Sequence, residues 1–140
     1  MVLTQQAPVE DLVWARSWLC LIEIKRAVLR DIDAGLTPEQ VAVRHTHWTP
    51  FMVAQLAGRG RGQAETVSPR EVIARRALGQ ITTVQMLNDL ASREYTFGRE
   101  FDDSDDYEPG TWDQVRGAYQ DGHLSRAEFD LVRRAVGVEW

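Results

Sequence analysis

The residues of this chain whose type and spacing bear on chemistry are three histidines, one cysteine, two groups of aspartates and a glycine-arginine run. His45 and His47 form a His-x-His step and His123 stands far away in sequence, so no spacing supplies the third and fourth donors of a metal site. Cys20 lies between Leu19 and Leu21 in an apolar stretch, where a buried thiol is unreactive. As a lone cysteine it forms neither an internal disulfide nor a thiolate cage. Asp31 and Asp33 fall on different faces of a helix. The carboxylates from Asp102 to Asp106 are solvated, and a general acid–base pair needs environments that push its two members apart. Gly58-Arg-Gly-Arg-Gly62 has no following Lys-Ser/Thr and no preceding strand, so it is not a phosphate-binding loop. These residues point away from catalysis. A non-enzymatic protein without cofactor or metal is expected.

Two segments resemble known binding motifs. Asp121-Gly-His-Leu-Ser-Arg-Ala-Glu-Phe129 is similar to the second half of an EF-hand loop, but Gly117 and Tyr119 stand where the first carboxylate ligands belong. Glu128 is better read as a helix-capping residue for Ser125. Residues 36–57 resemble a helix-turn-helix, with Ala42 at the small position, Thr46 to Trp48 as the turn, and Val53 and Leu56 facing the core. Its second helix, Pro50-Phe-Met-Val-Ala-Gln-Leu56, offers one base-reading side chain, Gln55, and no Arg or Lys, as expected of a helix that is buried. Arg44, Arg59 and Arg61 would be the phosphate contacts of a DNA-binding alternative.

The first helix has the most unusual composition. From Leu12 to Ile24 only Arg16, Ser17 and Glu23 are polar. Trp14, Trp18, Leu21, Ile22, Lys25 and Leu29 trace one stripe, and Val13, Leu19, Cys20, Ile24 and Val28 fill others. Such a helix is either wrapped by its neighbours or offers a surplus apolar face to a second copy or a partner protein. A second unusual segment lies at 94–113, where eight acidic residues oppose Arg99 alone. Tyr95, Phe97, Phe101 and Tyr107 are interleaved with Asp102, Asp103, Asp105 and Asp106. A plain linker has no use for these aromatics, so part of the loop is expected to pack, and the whole to attract a cationic partner.

The elements that must position these residues are announced by their caps. Thr37–Gln40, Ser68–Glu71, Thr82–Gln85, Thr111–Gln114 and Ser125–Glu128 have the spacing of capping boxes. Pro38, Pro50 and Pro69 suit first helical turns. Gly35, Gly58, Gly79 and Gly122 each close an apolar-periodic stretch. The pattern predicts an all-α protein. A long helix spans about 9–34, and shorter ones cover 38–46, 50–57, 69–78, 83–93, 112–121 and 126–136. The runs 58–67 and 94–110 are read as loops. Ser68-Pro-Arg-Glu-Val72 with Gly79, and Thr111-Trp-Asp-Gln-Val115 with Gly122, repeat at a constant offset of 43 residues. Two similar αα-hairpins forming a small bundle are expected over 63–140, after a subdomain at 1–62 that holds the long helix and the helix-turn-helix-like segment.

Composition bounds the function. With 44% apolar and 26% charged residues the chain is of the globular kind. No apolar run is long enough to cross a bilayer. Met1 to Val9 lacks the charge pattern of a secretory signal, so a cytoplasmic location is expected. The net charge of −5 is uneven: residues 81–140 carry six basic and thirteen acidic side chains. Fifteen of the sixteen basic residues are arginine, the imprint of a GC-rich bacterial genome. The chain resembles small acidic helical bacterial antitoxin, immunity and regulator proteins. That resemblance implies a protein-interaction module, its partner a basic toxin or effector. The contact residues would be Trp14, Trp18, the acidic-aromatic loop and Trp112. A homodimer through the first helix and a DNA-binding regulator are the other readings.

Overall fold

The structure, a computed structural model, describes the backbone of residues 9–100, 107–108 and 110–138, and the side chains of 11–98 and 110–138. It is all-α. Helix α1 (Val9–Asp33) is followed by α2 (Pro38–Arg44) and α3 (Pro50–Gln55). The chain continues through a π-helical stretch, Leu56–Gly60, into α4 (Arg61–Glu65). Then come α5 (Pro69–Ala77), α6 (Thr83–Ser92), α7 (Thr111–Gln120) and α8 (Arg126–Val136). Between α6 and α7 two residues on each side, β1 (Arg99–Glu100) and β2 (Tyr107–Glu108), pair antiparallel, with Arg99 opposite Glu108.

The helices begin where the caps place them. Thr37, Thr82 and Ser125 each accept a hydrogen bond from the backbone N–H three residues on, and Gln40, Gln85 and Glu128 return it. At α5 the Ser68 hydroxyl accepts from the Glu71 N–H, but the Glu71 side chain turns inward. At α7 the expected cap moves by one residue. Gly110 is the N-cap and donates its N–H to Asp113. Thr111 instead exchanges hydrogen bonds with Thr96, each hydroxyl accepting from the other's backbone N–H at 2.9 Å. Gln114, freed from the capping role, accepts the Arg70 N–H in the first turn of α5. Gly79 and Gly122 both take left-handed backbone at the ends of α5 and α7, where a side chain would strain the turn.

Residues 58–65, read from their glycines as a loop, are helical instead. Each glycine costs a helix up to ~1 kcal/mol relative to alanine. Buried Leu56 and Ala64 offset this by removing apolar surface from water. The helix is also closed at its far end: Arg26 donates through Nε to the otherwise orphaned Ala64 carbonyl at 2.8 Å.

Two compact units emerge, divided at 16–17 and at 67–68. One takes α1 up to Arg16 together with the chain from Ser68 onward; the other is Ser17–Val67. In the first unit α5 packs on α6 and α7, and α8 packs on the same two helices. Its core holds Val72, Ile73, Met86, Leu90, Val115, Phe129 and Val132. A run of aromatic contacts crosses it, from Tyr95 edge-on to Trp112, through Phe129, to Tyr119 stacked on Phe129 at 4.6 Å. In the second unit the buried residues are Leu19, Ile22, Val28 and Leu29 of α1 with Val41, Val53, Leu56 and Ala64.

Candidate functional site

Helix α1 buries one flank and exposes another. Ala15, Leu19, Ile22, Val28 and Leu29 are buried, whereas Val13, Leu21 and Ile24 are 57%, 48% and 37% exposed. Cys20 is exposed as well. Val13, Ser17, Cys20, Leu21 and Ile24 follow the spacing of a single helical face. The uncovered surface is therefore apolar along about three turns. Arg16 and Glu23, both exposed, flank it in one row with Cys20.

Polar contacts hold the helix that presents this face. Near its start, Asp11 bonds His123 Nδ1 at 2.8 Å, and the His123 ring stacks on Trp14 at 3.9 Å between centroids. Near its end, Asp31 bonds His45 Nε2 at 2.8 Å and pairs with Arg44 at 3.2 Å. Asp33 receives both terminal nitrogens of Arg61, and Arg61 also reaches Glu65. The Arg61 hydrogen bonds hold the Asp33 carboxyl below the usual carboxylate range, and Asp33 followed by Glu65 raises Arg61 in turn. These ties join residues as distant as 11 and 123, so no local spacing announces them. Two of the histidines are thus partners of α1 carboxylates.

The expected contact residues divide. Trp14 is half-buried, packed against the core of its own unit, and Trp18 is half-buried too. The outward stripe is Val13, Leu21 and Ile24, not the tryptophans. Cys20, expected among buried neighbours, faces outward because it shares the turn positions of that stripe. Trp112 is 2% exposed and belongs to the core, so it is withdrawn from the contact surface. Tyr95 is half-buried, donating its hydroxyl to the Leu90 carbonyl, and Phe97 is exposed. The expectation that part of the acidic segment packs is met by Tyr95, which lies edge-on to Trp112. Phe101, Asp102, Asp103, Asp105 and Asp106 lie outside the described residues, as does the side chain of Tyr107.

No family model, curated protein or solved structure matches this chain. Its own geometry has to carry the reading. Of the DNA-contact candidates, Gln55 and Arg59 are exposed. Arg44 and Arg61 are engaged with Asp31, Asp33 and Glu65, and the basic run is helical rather than a free loop. Helix α3, expected to be buried, turns Val53 and Leu56 inward as expected but leaves Phe51 and Met52 exposed. Among the described residues no three His, Cys, Asp or Glu side chains gather as metal ligands do. Among the same residues no helix is long and apolar enough to cross a membrane.

Proposed function

We propose that this protein is a non-enzymatic protein-interaction module of the antitoxin, immunity or regulator type. The uncovered apolar face of α1 carries the reading. A helix that buries Leu19, Ile22 and Leu29 while leaving Val13, Leu21 and Ile24 in water keeps a cost of hydration that a contact surface recovers on binding. Exposed Phe97, beside the acidic run, supplies a second anchor for a cationic partner. The DNA-binding alternative has less support, since Arg44 and Arg61 already answer carboxylates of their own chain and phosphate binding needs cations it can neutralise.

Capture of the full chain from its native host, with and without nuclease, tests this reading. A stoichiometric protein that survives nuclease supports the module. Recovery of DNA, with accompanying proteins lost on nuclease treatment, would replace it with the regulator.

A further inference from the structure

We propose that the outward face of α1 is occupied by a second copy of the same helix, packed antiparallel across a twofold axis beside Cys20. This rests on the reading of that face as a contact surface and specifies its occupant.

The argument comes from charge. Arg16, Cys20 and Glu23 stand at i, i+4 and i+7, so they form one row along the edge of the apolar stripe. All three are exposed, and among the described residues neither Arg16 nor Glu23 makes an ion pair. In an isologous interface, residue i of one copy meets residue j of the other, and j meets i. For antiparallel helices the twofold runs perpendicular to both axes and passes midway between them, so like edges lie against each other. A twofold midway between positions 16 and 23 then sets Arg16 of each copy against Glu23 of the other. Two opposite-charge pairs form at the flank, as edge charges do when they set the orientation of paired helices. The apolar residues Val13, Leu21 and Ile24 close over the centre. A parallel pair would bring this edge against the other flank of the stripe, where Trp14 and Trp18 are half-buried in their own chain. The reciprocal pairing would be lost.

The same axis places Cys20 beside its counterpart, offset by only about 1.5 Å along the helix. Helices packed at the usual separation bring such facing Cα atoms to within about 7 Å, the reach of a disulfide. The stripe covers three turns, so the dimer is small and transient. A covalent trap suits it.

Copper(II)-phenanthroline oxidation of the full chain provides that trap. The two Cys20 thiols give up two electrons to copper and two protons to solvent as the S–S bond forms. With a single cysteine, any disulfide dimer seen on a non-reducing gel is Cys20 to Cys20. Arg16→Glu and Glu23→Arg should each slow dimer formation by about tenfold through like-charge opposition, and the double variant should restore the wild-type rate. Both positions are exposed, and circular dichroism checks that each variant keeps its helices. Equal rates in all four proteins, or a double variant as slow as the singles, would overturn the antiparallel pair. Should Leu21→Glu abolish capture of a different protein in that case, the face is a contact surface with another occupant; unchanged capture would remove the parent reading too.

Discussion

The Trp14 indole stacks on the His123 imidazole, with ring planes 11° apart and centroids 3.9 Å apart. His123 is in turn held by Asp11 from one turn earlier in α1. A ring packed on a ring and fixed at its edge by a carboxylate can couple two distant segments of sequence, here the start of α1 and the turn before α8. Aromatic pairs of this kind are worth about 0.5–1.5 kcal/mol beyond buried area. Trp14→Ala and His123→Ala should each destabilise the protein, and urea unfolding of the double variant should show a coupling in that range. Additive effects would mean that the stack contributes nothing specific.

Glu71 is 2% exposed and accepts two hydrogen bonds from Arg75, at 3.0 and 2.8 Å. Removing the cation leaves a buried carboxylate short of compensation, which costs far more than losing a surface pair. Arg75→Met should lower unfolding stability by about 2–4 kcal/mol. Arg44→Met, which removes an exposed partner of Asp31, should cost under about 1 kcal/mol. Denaturant midpoints at constant slope would distinguish the two.

Burial pushes the Glu128 carboxyl up, but hydrogen bonds from Arg76 and Ser125 outweigh it and the group lies below its ordinary value. A carboxyl depressed in the folded state stabilises above its unfolded value, about 4.5, and loses that stabilisation as pH falls through the folded value. The denaturation midpoint should therefore drop below pH 4.5. Glu128→Gln should be less stable at neutral pH and should lose part of that acid dependence. An unchanged acid limb in the variant would count against the Arg76–Glu128 bridge.

Burial pushes the Tyr95 hydroxyl up to about 12, with Arg93 opposing and Asp89 adding. Its raised value favours the protonated fold, so the stabilisation is present below pH 10 and is lost as pH rises toward 12. Ultraviolet titration of the protein's three tyrosines should show one ionising late, coupled to unfolding. Tyr95→Phe should remove that late step; its persistence would assign it elsewhere.

A Cβ at Gly110 would overlap the Thr96 carbonyl oxygen, in the turn where Thr96 and Thr111 exchange hydrogen bonds. Gly110→Ala should thus open the 94–98 segment. Loss of near-ultraviolet signal from the Tyr95–Trp112 pair, with helix content retained, is the expected result. An unaltered spectrum would show that the turn yields.

The helices were legible because their caps are local. Thr37, Thr82 and Ser125 satisfy backbone groups three residues away, and short-range chemistry of this kind is written in spacing. The failures share the opposite cause. Thr111 is drawn from its cap by Thr96, Gln114 by Arg70, and His123 by Asp11, all through contacts that only the folded chain creates. Glycines hid the helix at 58–65, because local propensity was overruled by burial of Leu56 and Ala64. For the candidate face, composition marked α1 as too apolar but not which flank stays outside. Trp14 and Trp18 are the larger side chains, yet packing claims them and leaves Val13, Leu21 and Ile24.

The most direct measurement compares the wild type with Leu21→Glu/Ile24→Glu for both urea stability and protein association. If the outward face of α1 is a contact surface, the variant unfolds within about 0.5 kcal/mol of the wild type per exposed site while association is lost. A loss of several kcal/mol in stability, with association retained by the folded fraction, would contradict the account and make that face part of the core.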